Sequence, residues 1–103
     1  MDVNKKTTLI VTSKANPDDL VALQTYVEKV MPMLLSIEGR VIKRNKISDV
    51  FFGKSPGEFL LIMDFPNKQN LINLFKSDEY KSIIPYRDNG FSEINILFAD
   101  EFK

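Results

Sequence analysis

Phe59-Leu60-Leu61-Ile62-Met63-Asp64-Phe65 is an almost unbroken apolar run of seven residues. It follows the strongest turn cluster in the chain, Gly53-Lys54-Ser55-Pro56-Gly57, and it is too short for a typical helix, so it reads as a strand. Strand side chains alternate, which puts Phe59, Leu61 and Met63 on one face and Leu60 and Ile62 on the other. Such a strand belongs inside a sheet covered on both sides. Helices can cover one side. On the other, each large apolar side chain left in water forfeits about 1.5–3 kcal/mol, and several together make a patch that monomers rarely expose. A second copy packed sheet to sheet is the simplest cover, so the run predicts a homodimer.

The rest of the chain supplies the elements around this strand. Thr7 to Ser13 is rich in β-branched residues and ends at Lys14-Ala15-Asn16-Pro17, which predicts a first strand. Asn16 is the expected N-cap of a helix, with Pro17 at its first position and Asp18 and Asp19 in its first turn. Leu20, Leu23, Val27, Val30, Met31 and Leu34 recur at helical spacing, which predicts a helix to about Glu38, kinked or restarted at Pro32 and ended by Gly39. Val41 to Ile47 is polar between apolar ends and suits an edge strand, prolonged by Val50-Phe51-Phe52 and joined to the third strand as a hairpin. Pro66-Asn67 opens a helix that buries Leu71, Leu74 and Phe75, and Ser77-Asp78-Glu79 caps a short helix into Tyr80, Ile83 and Ile84. Pro85 is expected to stop it, with Tyr86 to Gly90 a turn before a last strand through Ile94, Ile96 and Phe98.

The order β-α-β-β-α-β predicts an α+β, ferredoxin-like domain. Its four-stranded antiparallel sheet carries the helices on one face, with the first and third strands central. At 103 residues without repeat or linker, one domain spans 1–103. Fourteen basic and fourteen acidic residues cancel, which leaves no overall field for nucleic acid or an anionic membrane. With neither cysteine nor histidine, disulfides, thiolate nucleophiles and the usual zinc and haem ligands are excluded, so no metal and no cofactor are expected. No apolar stretch approaches the roughly eighteen residues that span a bilayer, which makes the cytoplasm the default location.

From Tyr26 to Phe98 the chain resembles the family called domain of unknown function 1330, of the dimeric α/β-barrel superfamily. The residues that carry the resemblance are Pro32, Gly39-Arg40, Gly53 and Asp64-Phe65-Pro66, then Phe75-Lys76-Ser77-Asp78-Glu79-Tyr80 and Ile84-Pro85-Tyr86-Arg87. It implies a two-fold dimer made by sheet packing and a small apolar cavity between sheet and helices. Some members of the superfamily, such as cofactor-free antibiotic-biosynthesis monooxygenases, are enzymes. Two positions depart from the pattern: Glu38 stands where the family often has a second glycine, and Phe52 where it has an acid.

Few side chains here can do chemistry. Asp64 shares a face with Leu60 and Ile62, so desolvation there would push its carboxyl up toward general-base use; its alternative is a solvated strand end. Arg87 and Arg40 lie beside turns, as carboxylate anchors or as intramolecular partners of Asp88, Glu79 or Asp64. Tyr26, Tyr80 and Tyr86 join an apolar ring to a polar tip, suited to a pocket wall or to the core. Asp64, Arg87 and Tyr80 are therefore the catalytic candidates and Tyr26, Arg40 and Tyr86 the ligand-binding ones. Arg40, Lys43, Arg44 and Lys46 are read as a solvated edge rather than an RNA surface, because Leu9-Ile10-Val11 offers no ring to stack bases. The expected function is a homodimeric small-molecule-binding protein, in its catalytic form a cofactor-independent enzyme acting on a small apolar or aromatic carbonyl compound. The alternative is a non-catalytic dimerisation or regulatory module.

Overall fold

The computed structural model describes residues 5–102. Four strands, β1 (Thr7–Ala15), β2 (Arg40–Lys46), β3 (Phe59–Phe65) and β4 (Phe91–Ala99), form one antiparallel sheet in the order β2-β3-β1-β4. The two central strands, β1 and β3, are those expected from the element order. In the register, Leu9 lies opposite Met63 on one side and Phe98 on the other, and Val11 lies between Leu61 and Ile96. These side chains form the face beneath the helices, where Leu9, Met63 and Phe65 are fully buried with Tyr26, Val30, Leu34, Leu71, Tyr80 and Ile83.

Helix α1 (Leu20–Ser36) is capped by Asp19, whose side chain accepts from the Ala22 N–H at 3.1 Å. Asn16, the expected cap, instead holds the preceding turn: its Oδ1 accepts from the Asp18 N–H and its Nδ2 donates to the Asn89 carbonyl. Starting the helix three residues later moves its buried stripe to Ala22, Tyr26, Val30 and Leu34. Leu20 and Val27, expected inside, are exposed, and the helix runs through Pro32 without a restart.

The helix ends as a Schellman motif, with Glu38 N–H donating to the Leu35 carbonyl and Gly39 N–H to the Leu34 carbonyl. The residue that must turn left-handed is Glu38, at φ 66°. Glycine is the residue without a steric penalty in that region, and Glu38 takes it up here. Gly39 itself is required by proximity: a Cβ there would lie 2.5 Å from the Phe65 ring and 2.6 Å from the Leu34 carbonyl oxygen.

β2 and β3 pair as the expected hairpin, through a long connecting loop, and Val50-Phe51-Phe52 belongs to that loop rather than to β2. Helices α2 (Lys68–Lys76) and α3 (Asp78–Lys81) start at the caps expected, Asn67 and Ser77, whose side chains accept from the N–H groups of Asn70 and Tyr80. Pro85 does not stop a helix but begins one, α4 (Ile84–Gly90), so residues 86–90 are helical and not a turn. Proline suits the first helical turn because the N–H it lacks would have no partner within the helix. Helix α4 packs on α1 at Gly90, where a Cβ would meet the backbone of Leu23.

Candidate functional site

Burial places Tyr26 of α1 and Tyr80 of α3 side by side under the helices, where each hydroxyl needs a partner inside the protein. They find each other, with Oη to Oη at 2.8 Å. Arg87 of α4 completes the group: its Nη1 donates to Tyr80 Oη at 3.3 Å, and its Nε donates to Asp88 Oδ1 at 3.1 Å. Burial and the hydrogen bond to Tyr80 push the Tyr26 hydroxyl well above the usual tyrosine range, so it stays protonated. Partial burial works against the Arg87 cation, yet its bonds to Tyr80 and Asp88 outweigh that and hold its pKa above the ordinary arginine value.

Beside this group lies a cleft of about 340 Å³, walled by Phe75, Tyr80, Ile84, Arg87, Ile96 and Phe98. Its size falls at the small end of the range typical for ligand sites, about 300–1,000 Å³. The Phe75 ring stands edge-on to Tyr80 at 4.9 Å between centroids and stacks with Phe98 at 6.0 Å, which fixes the apolar wall. The cleft thus joins apolar surface to the Tyr80 and Arg87 side chains in its wall. Its lining holds no carboxylate.

Asp64 and Arg40 are elsewhere. The register sets Asp64 opposite Thr8 and Arg40, on the sheet face turned away from the helices. There its Oδ1 accepts from Thr8 Oγ1 at 3.0 Å, and its Oδ2 lies 3.6 Å from Arg40 Nη2. Both side chains are well exposed, at 47% and 76%, so the pair contributes at most about 1 kcal/mol. The expected convergence of Asp64 with Tyr80 and Arg87 does not occur, because residue 64 follows the alternation of Leu60 and Ile62 and that face points outward. Tyr86 is exposed on α4 and does not line the cleft.

The six candidates therefore divide: Tyr26, Tyr80 and Arg87 meet, Asp64 and Arg40 meet on the opposite face, and Tyr86 joins neither group. Phe75, Ile84, Ile96 and Phe98 complete the cleft and were absent from the candidates. Phe75 was legible as a buried helix position by spacing, and Ile96 and Phe98 as sharing one strand face; their common opening was not legible.

Around the foot of the sheet, Asp100 receives Lys5 at 2.8 Å, Lys68 at 2.9 Å and Thr7 Oγ1 at 3.0 Å. The two lysines hold its carboxyl well below the usual carboxylate range. Among the described residues no cluster fit for a metal ion occurs, and no helix is long and apolar enough to cross a membrane.

The model of the family described as domain of unknown function DUF1330 matches residues 7–102. The chain belongs to this family. No curated protein matches it. Among solved structures, a protein of unknown function from Rhodopseudomonas palustris is similar at a TM-score of 0.80 and 12% identity, over 97% of this chain and 85% of that one. A dimeric protein of unknown function with a ferredoxin-like fold from Bacteroides fragilis is similar at 0.58 and 14%, over 93% and 96%. A candidate antibiotic biosynthesis monooxygenase from Caulobacter crescentus is similar at 0.64 and 10%, over 98% and 93%. At such identities these likenesses concern the ferredoxin-like fold alone, since one fold hosts many activities.

Proposed function

We propose that this member of the DUF1330 family is a homodimeric small-molecule-binding protein whose cleft takes a small aromatic or apolar carbonyl compound. The carrying observation is the cleft itself, walled by apolar side chains together with Tyr80 and Arg87, which hydrogen-bond to each other. That arrangement suits a ring in the apolar part and a carbonyl or carboxylate oxygen against Arg87. Chemistry in such a site, where it occurs, rests on Tyr80 as proton donor and Arg87 as the cation beside developing negative charge. Asp64 is not the base in this reading, because it lies across the sheet.

The dimer is supported by the outer face. Ile10 lies opposite Ile62 and Leu97 in the register, and Leu60 completes an apolar centre. Leu97 is half exposed. Thr8, Thr12, Asn95 and the Arg40–Asp64 pair surround that centre, which is the arrangement of an interface with an apolar core and polar rim. The dimeric Bacteroides fragilis relative of the same fold is consistent with it.

Thermal shift with benzoate, acetophenone and related ring compounds tests the binding reading. A ligand at a hundredfold excess over its Kd adds about 2.7 kcal/mol. Benzoate is expected to stabilise the wild type and to lose that effect in Arg87→Met, while acetophenone keeps most of its own. No stabilisation by any ring compound would contradict the proposal. For the assembly, sedimentation equilibrium is expected to show a dimer that Ile62→Lys dissociates.

A further inference from the structure

The hydroxyls of Tyr26 and Tyr80 bring two protons to one short contact, and only one of them can lie between the oxygens, 2.8 Å apart. A guanidinium cannot accept, so Arg87 Nη1 must donate to Tyr80 Oη, at 3.3 Å. Two arrangements remain. If Tyr80 donates to Tyr26, the Tyr26 proton has no acceptor, because among the described residues Tyr26 Oη meets only Tyr80. If Tyr26 donates to Tyr80, the proton left over belongs to Tyr80. Burial does not separate the two residues, at 5% and 2% exposure, but the cleft does: Tyr80 lines it and Tyr26 does not. A buried O–H without an acceptor bears its desolvation penalty in full, which disfavours the first arrangement by about fivefold to a hundredfold. In the second, a molecule in the cleft can accept the hydrogen bond.

We infer that Tyr26 is a positioning residue: its hydroxyl donates to Tyr80, and the Tyr80 proton this releases makes the cleft selective for hydrogen-bond acceptors, above all a small apolar carboxylate. The inference rests on the cleft as the binding site proposed above and narrows its ligand. With Tyr26 and Arg87 both donating to it, Tyr80 Oη has no acceptor capacity left for a ligand. Arg87 spends one N–H on Tyr80 and one on Asp88, and its other N–H groups have no acceptor among the described residues. Phe75, Ile84, Ile96 and Phe98, the other side chains of the wall, neither donate nor accept. The side chains of the cleft therefore offer protons and nothing to receive one. A carboxylate fits, because its two oxygens only accept and its charge answers that of Arg87. An amide on the same ring brings N–H groups that find no side-chain acceptor. The raised pKa of Tyr26 agrees with its part, since burial keeps the proton on the oxygen that donates.

Calorimetric titration of the full chain with benzoate, acetophenone, benzamide and toluene tests this. Acetophenone and benzamide share a shape and a carbonyl and differ only in methyl against NH2. The wild type is expected to bind benzoate most tightly and to prefer acetophenone to benzamide. Desolvating the NH2 group favours acetophenone in any chain, so the change between chains decides. Tyr26→Phe returns an acceptor site to Tyr80 Oη, and the preference for acetophenone over benzamide is expected to fall about fivefold, with toluene affinity unchanged. A merely structural role would weaken every ligand, toluene included, by the same factor. A preference that Tyr26→Phe leaves unchanged would overturn the inference and leave the cleft as the site. So would benzamide binding the wild type as tightly as benzoate, a comparison that needs no variant. Failure of toluene, acetophenone and benzoate alike to bind would instead overturn the binding reading on which the inference rests.

Discussion

Removing the Tyr80 hydroxyl is expected to cost more than removing its partner's, although the two share one hydrogen bond. Tyr80 Oη joins two groups, Tyr26 Oη at 2.8 Å and Arg87 Nη1 at 3.3 Å, whereas Tyr26 Oη meets only Tyr80. Tyr26→Phe removes one bond and leaves Tyr80 with Arg87, for a loss of about 1 kcal/mol. Tyr80→Phe leaves the Tyr26 hydroxyl without a partner at a position only 5% exposed, which adds a desolvation penalty of about 1–3 kcal/mol. Arg87 keeps Asp88 and reaches solvent, so its share of the loss is small. The expected totals are about 1 kcal/mol for Tyr26→Phe and about 2–3 kcal/mol for Tyr80→Phe. The double variant should cost no more than Tyr80→Phe alone, because the second change removes the stranded hydroxyl. Urea unfolding of the three variants, read as a double-mutant cycle, measures this. Equal or reversed costs, or strict additivity, would refute the pairing.

Two further outcomes follow from the packing and the titration. Gly90→Ala sets a methyl group 2.5 Å from Leu23 Cα, backbone against backbone, and should destabilise by about 2–3 kcal/mol, or about 4–8 °C in Tm per kcal/mol; a change in Tm of less than a few degrees would show that α4 is free to move off α1. The Tyr26 pKa is raised in the folded chain, so above pH ~10 the folded state binds more protons than the unfolded one, and stability falls as pH rises. Below that pH the contribution is fully present. Urea midpoints between pH 9 and 11.5 should decline less steeply in Tyr26→Phe by up to about 1.4 kcal/mol per pH unit, and parallel curves would contradict the assignment.

Most of the architecture was legible in spacing. The alternation in residues 59–65 and 94–99 set which side chains share a face, and Asn67 and Ser77 announced their helices because their side-chain oxygens satisfy first-turn N–H groups. Errors arose where local signals compete. Asn16 and Asp19 both suit a helix start, and the choice between them rotates the buried stripe of α1 onto Tyr26. Pro85 can end one helix or begin another, and the chain around it does both within two residues. The candidate site was half legible: tyrosines and arginines were singled out by type, but the pairing of Tyr26 with Tyr80 depends on how α1 packs over α3. For Asp64, alternation named its neighbours, while the direction of its face required the helices to be placed.

The most direct test of the binding account is a methyl-labelled NMR titration with benzoate. Ile84 and Ile96 wall the cleft, whereas Ile10 and Ile62 lie on the outer sheet face, so one experiment reads both surfaces. Saturable shifts at Ile84 and Ile96, absent in Arg87→Met, with Ile10 and Ile62 unmoved, are the result expected. Shifts confined to Ile10 and Ile62, or none at any concentration, would contradict the cleft as the binding site.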